Sequence, residues 1–282
     1  MRLRSHEDVT AFLAVAEPLL AADEARHNLM HAICSTLVES PGVYPESYFW
    51  TVEDDVPLAA LLRTPPFNFA VARPVRPEAI VFAAERLRAE GVEAPGVTGA
   101  VPEAEWFARA WMDEPRLRMA QGIYAAREIR VPDVPGAMRL AALDDRDLIV
   151  DWIRAFQDEA LPDETPDFDV VAAVERRLRS ETAGTALWDV DGRAVSMCGF
   201  GGRTPTGIRI GPVYTPPELR GRGYGSAVTA VASKRLLDGD RDFCFLYTDM
   251  SNPTSNRIYI NIGYEFVCDS ADYAFDDQQA GV

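Results

Sequence analysis

A glycine-rich segment in the C-terminal half of the chain constrains the fold most. Residues 211–226 read GPVYTPPELRGRGYGS. They begin within the strand-like run 208–214 and lead into the helical pattern of 226–237. Glycine lets a backbone approach a bound group closely, and the unpaired N–H groups at a helix start attract anions. The segment therefore predicts a strand–loop–helix unit that binds a phosphate.

Three kinds of phosphate-binding loop can be compared with this segment. A Walker A loop needs a lysine after its last glycine, and Gly225 is followed directly by Ser226. A Rossmann loop needs G-x-G-x-x-G, and Ser226 stands where the third glycine should follow Gly221 and Gly223. The pattern that remains is R-x-x-G-x-G, which Arg220, Gly223 and Gly225 fulfil.

A second pattern follows this loop further along the chain. Residues 252–264 read NPTSNRIYINIGY, which fits N-x-x-S-x-x-x-Y-x-x-x-G-Y through Asn252, Ser255, Tyr259, Gly263 and Tyr264. The two patterns, in this order and with one strand between them, resemble the GNAT (GCN5-related) N-acetyltransferase superfamily. The resemblance covers about residues 138–276.

The resemblance implies a mixed α/β (α+β) fold. Its central twisted sheet is mostly antiparallel, has a splayed strand pair and is flanked by helices. The residues agree, because Gly211 and Pro212 weaken strand pairing and predict a bulge or splay. In the family, pantetheine amides pair with this strand, so the implied cofactor is acetyl-CoA (coenzyme A) and the implied acceptor is a primary amine.

The resemblance also implies which residues contact the cofactor; no metal is expected. They are Val213, Tyr214, Thr215, Arg220, Gly221, Arg222, Gly223, Tyr224, Gly225, Ser226, Asn252, Ser255, Asn256 and Tyr259. Asn252 has a second reading, because it directly precedes Pro253 as a helix N-cap does.

Catalytic roles follow from the chemistry of amine acetylation. A backbone N–H near Val213 is expected to stabilise the oxyanion. The resemblance implies that Tyr259 protonates or orients the leaving sulfur. The alternative for Tyr259 is a core tyrosine with a satisfied hydroxyl. Many family members carry a glutamate base on the strand that here reads GIRIG (207–211), which has no acid. The nearest candidates are Asp158 and Glu159, and the alternatives are a base acting through water, a neutral amine, or simple surface charge.

The length of 282 residues suits two domains. Residues 131–136 read VPDVPG, which breaks helix and strand and predicts a boundary between domains 1–136 and 137–282. Both halves show the same order of helices and strands. Residues 73–78, RPVRPE, occupy the loop position of the first half without a glycine. The first half thus resembles a degenerate GNAT-like domain that is non-catalytic, and the second the catalytic one.

The charge and cysteine content limit the classes of partner that the chain is expected to bind. With 28 basic and 44 acidic residues the net charge is −16, which argues against a nucleic-acid partner and suits a small cationic amine. The four cysteines are scattered without C-x-x-C pairs, and no apolar run reaches bilayer length. We expect a cytoplasmic protein with no membrane partner, as a monomer or homodimer.

Three functions remain open at this point. The first is acetylation of a small cationic amine by direct attack in a ternary complex. The second is acetylation of a protein or peptide amine, and the third is a non-catalytic acyl-CoA-binding regulatory module. Tyr259 favours an enzyme, while the missing acid in 207–211 keeps the third open.

Overall fold

The same succession of helices and strands occurs twice along the chain. The computed structural model describes residues 1–160, 169–250 and 253–275, and the side chains of all of these except 160 and 253–256. The first copy contains β1 (Arg2–His6), α1 (Val9–Ala21), α2 (Asn28–Glu39), β2 (Tyr48–Glu53), β3 (Pro57–Arg63), β4 (Phe69–Val71), α3 (Pro77–Ala89), β5 (Gly96–Ala100), α4 (Glu103–Trp111) and β6 (Arg116–Ala126).

The second copy repeats that order. It contains β7 (Ala137–Leu140), α5 (Arg146–Ala160), α6 (Val170–Leu178), β8 (Gly184–Val190), β9 (Arg193–Arg203), β10 (Gly207–Tyr214), α7 (Tyr224–Leu237), β11 (Phe243–Asp249), α8 (Pro253–Ile262) and β12 (Glu265–Ala274). Short 3-10 turns precede α5 and α7. The duplication that the sequence predicts from element order is present in the structure.

The compact units do not divide at residue 136, where the sequence places the boundary. Unit 1 is Met1–Ile123 with Val267–Val282, and unit 2 is Tyr124–Phe266. Strand β12, the last of the second copy, belongs mainly to unit 1, where it pairs antiparallel with β5 from Ser270↔Ala100 to Ala274↔Gly96. The end of β6 belongs to unit 2. Element order alone assigns each strand to its own copy, so this exchange lies beyond a sequence reading.

Unit 1 has the strand order β1-β2-β3-β4-β5-β12, and only β4 and β5 pair in parallel among its registered pairs. Helices α1 and α2 bury one face of its sheet, and α3 and α4 bury the other. The largest buried side chains of the two faces include Phe12, Leu20, Phe49, Phe69, Leu87 and Phe107. Because both faces are covered, the central strand β3 is an almost continuous apolar run, PLAALLR.

Unit 2 has the strand order β7-β8-β9-β10-β11. Among these five strands, whose residues are all described, β10 and β11 pair in parallel and the other neighbours pair antiparallel. One face packs against α5 and α6 through residues such as Leu187, Met197 and Tyr214. The other face packs against α7 and α8 through residues such as Ile208, Ile210 and Tyr264. Alternate positions along β9 and β10 therefore point to opposite layers.

Several local predictions are confirmed and others are wrong. The Asp191-Gly192 turn joins β8 to β9, with φ of 49° and 76° that suit a tight hairpin. The stretch up to residue 38 begins with strand β1, although the sequence pattern indicates only helix. Phe266 and Tyr273 lie on one continuous strand, β12. No helix that the structure describes is long and apolar enough to cross a membrane.

Candidate active site

Strand β10 is bulged where the sequence places glycine before proline. It pairs with β9 at Ile210↔Phe200 and next at Val213↔Cys198, so Gly211 and Pro212 together face a single residue of β9. Gly211 has a φ of +133°, which residues with side chains rarely adopt. The bulge that Gly211 and Pro212 predict is therefore present.

Beyond the bulge, β10 also leaves its parallel neighbour. The pairing of β10 with β11 runs from Gly207↔Phe243 to Arg209↔Phe245, while the strands continue to Tyr214 and Asp249. The two strands thus splay at their C-terminal ends. The corresponding parallel pair in unit 1 is β4 with β5, and it stays in register to Val71, the last residue of β4, which pairs with Gly99. The pairing of β3 with β4 shows no bulge.

The loop before α7 has the backbone of an anion-binding turn. Gly221 and Gly223 have φ of +77° and +81°, and Gly223 is the N-cap of α7 with no side chain capping the helix. A Cβ on Gly221 would meet no atom within 4 Å, so that side of the loop is open. Arg222 is exposed beside it. The uncapped N–H groups at the helix start and the open side of the loop at Gly221 fit the pyrophosphate of a coenzyme A.

Val213 of β10 and Thr215, which directly follows that strand, lie against the start of α7. A Cβ on Gly225 would lie 3.3 Å from the Thr215 hydroxyl and 3.8 Å from Val213. The Thr215 hydroxyl lies 2.8 Å from that of Ser196 on β9, which also donates to the Tyr214 carbonyl at 3.0 Å. Ser196 therefore fixes the first residues of the loop. Sequence reasoning missed it, because a single serine in an apolar strand carries no signal.

Arg220 does not project freely from the loop. Its Nε donates to the carbonyl of Thr215 at 2.8 Å, and its Nη2 lies 2.6 Å from Oε2 of Glu159 at the end of α5. Its guanidinium also lies 5.7 Å from the ring centre of Tyr214, whose hydroxyl donates to Oε1 of Glu159 at 3.5 Å. Burial raises the pKa of Tyr214, and the Glu159 charge raises it further. Glu159 thus contacts the predicted cofactor loop.

Tyr259 differs from its neighbour Tyr264 in how its hydroxyl is bound. The two rings meet edge to face with centres 6.1 Å apart. The Tyr264 hydroxyl lies 2.7 Å from that of Ser233, whereas the Tyr259 hydroxyl has no hydrogen-bond partner among the described residues. Burial raises the pKa of Tyr259 well above its usual range, and the Cys198 thiol adds to this. Tyr259 therefore keeps its proton near neutral pH, with an unused donor.

This tyrosine lies near the bulged strand. Cys198 acts on Tyr259 electrostatically, and Cys198 is the β9 partner of Val213. Both Tyr259 and Val213 pack against the cluster under α7 and α8. The structure therefore brings the two predicted catalytic positions, Val213 and Tyr259, into one layer of unit 2.

The remaining predicted residues are placed as follows. Tyr224 and Ser226 lie in the first turn of α7, which begins two residues earlier than the sequence indicates. Asn252 lies outside the described residues, directly before α8, and Ser255 and Asn256 are part of the helix. Their contacts with a cofactor stay predictions. Within the described ranges, no three His, Cys, Asp or Glu residues are grouped as a metal site.

Comparisons with known proteins agree with this geometry. The family described as FR47-like protein matches residues 190–272, which include both motifs. A mycothiol acetyltransferase of Acidimicrobium ferrooxidans is 31% identical over 110 residues, which is 38% of this chain and 35% of that protein. The match thus spans about a third of the curated relative.

Two solved structures share the fold along nearly the whole chain. A GNAT-family acetyltransferase from Colwellia psychrerythraea has a TM-score of 0.60 at 10% identity, covering 98% of this chain and 100% of that one. A tandem GNAT protein from the clavulanic acid biosynthesis pathway has a TM-score of 0.60 at 16% identity, covering 96% and 98%. The chain thus shares the fold of GNAT acetyltransferase structures, and its FR47-like match includes both motifs.

Proposed function

We propose that this protein is an acetyl-CoA-dependent N-acetyltransferase that acetylates a primary amine. The observation that carries the proposal is the bulged and splayed β10, which leads directly into an uncapped, glycine-lined helix start. Such a strand leaves backbone groups available to a bound chain of amides, and the loop suits its pyrophosphate. The similarity to a mycothiol acetyltransferase supports acetyl transfer as the reaction.

The parts of the site would divide the work as follows. Residues 220–226 hold the pyrophosphate, and a backbone N–H near Val213 stabilises the oxyanion. When bound, acetyl-CoA supplies the activated acetyl thioester. Tyr259 holds a proton on its hydroxyl and donates it to the departing sulfur, which suits a tyrosine whose pKa burial has raised.

Direct attack by the amine is favoured over an acyl-enzyme route. Burial raises the pKa of Cys198 and of Cys244 to about 12. All four cysteines are buried and free. A thiol that stays protonated is a poor nucleophile. We therefore propose that the amine attacks the acetyl thioester directly, without an acetyl-cysteine intermediate.

The general base is not assigned to a side chain. Glu159, the predicted candidate, lies on Arg220 and Tyr214, so we assign it to positioning the loop. Strand residues 207–211 carry no acid. The amine is proposed to lose its proton to solvent or to bind in its neutral form.

Unit 1 is proposed to have no catalytic role. Its β4 lacks the bulge, and α3 begins with Pro77 after a segment without glycine. Proline removes one of the N–H groups that a phosphate would use.

The proposal is tested by incubating the purified chain with acetyl-CoA and a panel of amines. The measured quantities are free thiol and the acetylated product, the latter by mass spectrometry. We expect thiol release that depends on an amine and on Tyr259. Saturable coenzyme A binding without product from any amine, small molecule or peptide, would instead identify a regulatory acyl-CoA-binding module.

A further inference from the structure

Arg177 of α6 lies against the bulge of β10. A Cβ on Gly199 would overlap Nη1 of Arg177 and would come within 2.6 Å of the Gly211 carbonyl oxygen. Both atoms therefore border the same point above Gly199, which is the residue opposite the bulge. The missing side chain of Gly199 leaves the space that the guanidinium occupies.

A second arginine lies on the same strand pair. Arg209 is exposed on β10, two residues before Gly211, and its guanidinium lies 5.1 Å from the ring centre of Tyr247 on β11. Its charge acts on Arg177. Two cations therefore flank the point where β10 and β11 separate.

Neither cation has an acidic partner in the part of the chain that the structure describes. No carboxylate lies within 4.0 Å of Arg177 or Arg209, whereas Arg139, Arg146 and Arg220 each pair with one or two acids. The chain carries 44 acidic residues, so acids are not scarce. Arg177 is partly buried, and an unpaired charge in such a position is unfavourable. This pair is therefore placed where a ligand can supply the missing negative charge.

The electrostatics of Arg177 point the same way. Burial and the positive charges of Arg209 and Arg176, partly offset by the Cys198 thiol, together lower its pKa to about 10. The guanidinium is still charged at neutral pH, although its surroundings disfavour the charge. An anion bound between Arg177 and Arg209 would offset the cost of burying the Arg177 charge and the repulsion between the two guanidinium groups.

We propose that the acceptor amine also carries a carboxylate, which Arg177 and Arg209 bind beside the acetyl-transfer site. The inference rests on the proposed function. A guanidinium binds a carboxylate through two parallel hydrogen bonds, which orients the ligand as well as holding it. The acceptor would then be an amino acid or a similar carboxylated amine. A polyamine or another purely cationic amine, which the acidic composition favours, would meet two positive charges here.

Matched pairs of acceptors test the carboxylate directly. The panel consists of amino acids and their carboxamides, which differ only in the charged group, with acetyl-CoA at saturation. We expect kcat/KM to favour the best acid over its amide by at least about tenfold. Equal rates for acids and amides, or rates that favour only amines without a carboxylate, would overturn the proposal. A preference for phosphorylated amines would overturn it too.

Variants then assign the preference to the two arginines. Arg177→Met is expected to reduce the acid-to-amide ratio to below about threefold, and Arg177→Lys to restore part of it. The KM for acetyl-CoA should change less than the acid-to-amide ratio, since residues 220–226, which are proposed to hold the pyrophosphate, lie beyond the bulge that Arg177 contacts. Arg193→Met, an exposed arginine on β9, is the control and should keep the full ratio. A ratio that survives Arg177→Met and Arg209→Met contradicts the proposal.

A binding measurement separates this inference from the proposed function. N-acetylated amino acids and their amides are titrated calorimetrically into the protein in the presence of coenzyme A. Tighter binding of acids that Arg177→Met abolishes supports the carboxylate site even if no amine is acetylated. Acetylation in which amides react as well as acids rejects the site and leaves the transferase intact. If no carboxylated probe binds or reacts, the proposal is rejected.

Discussion

Oε2 of Glu159 lies 2.6 Å from Nη2 of Arg220, which links the end of α5 to the loop before α7. The two residues were expected to serve different purposes, one as a base and the other as a cofactor ligand. Their contact indicates that Glu159 orients Arg220, whose Nε also holds the Thr215 carbonyl.

Glu159→Gln should therefore affect cofactor affinity more than turnover. An exposed ion pair contributes up to about 1 kcal/mol, so we expect KM for acetyl-CoA to change by no more than about fivefold with kcat nearly constant. Steady-state kinetics from pH 6 to 9 measure this, with Asp158→Asn as the neighbouring control. A loss of kcat of about a hundredfold, with loss of the basic limb of the pH profile, would restore Glu159 as the base.

Tyr259→Phe should reduce kcat by about a hundredfold or more, because the variant cannot protonate the leaving sulfur. Coenzyme A binding should be retained, since the ring still packs against Tyr264. Tyr264→Phe is the matched control. It leaves the Ser233 hydroxyl without its 2.7 Å partner and should cost about 1–3 kcal/mol in the free energy of unfolding without changing kcat. Equal kcat in both variants would reduce Tyr259 to a packing residue.

Cys198 gives a prediction for alkaline pH. Its pKa is raised from 9.0 to about 12 by burial, so the folded protein keeps the proton that the unfolded chain loses above pH 9. The stabilisation is complete below pH 9 and is lost as pH rises from there toward 12, by about 1.4 kcal/mol per unit at most. Urea unfolding at pH 8 and pH 10 measures the loss.

The Cys198→Ala variant supplies the comparison. Its free energy of unfolding should fall less between pH 8 and pH 10 than that of the unchanged chain. The folded thiol should also resist iodoacetamide at pH 8, as followed by mass spectrometry. Rapid alkylation of Cys198 in the folded protein would show that it is an accessible thiolate and would reopen a covalent route.

The sequence predicts best those features that a few neighbouring residues determine. The Asp191-Gly192 hairpin and the bulge at Gly211-Pro212 depend on residues that permit or prevent one backbone geometry. The amino-acid types at these positions are therefore enough to predict both features. The glycine loop before α7 is predictable for the same reason. Strands β1 and β5 are not indicated by their sequences, because RLRSH is polar and GVTGA has two glycines that weaken a strand pattern.

What the sequence does not predict depends on distant partners. The pairing of β12 with β5 in unit 1 cannot be predicted from the order of the elements along the chain. Arg176 and Arg177 are adjacent on α6 and indicate a solvated helix face, yet Arg177 lies against Gly199. Only the packing of α6 on β9 distinguishes the two arginines. The same holds for Glu159, whose partner is 61 residues away.

The most direct test of the central claim is a calorimetric titration of coenzyme A into the unchanged chain and into the Gly223→Val/Gly225→Val variant. Valine disfavours the φ of +81° at residue 223 and crowds the Thr215 hydroxyl at residue 225. We predict affinity at least about tenfold weaker, a loss of roughly 1.4 kcal/mol or more. Gly91→Val, at an open glycine with a φ of +75° in unit 1, is the control and should bind as the unchanged chain does. Unchanged affinity in a folded double variant would contradict the assignment of residues 220–226 as the cofactor loop.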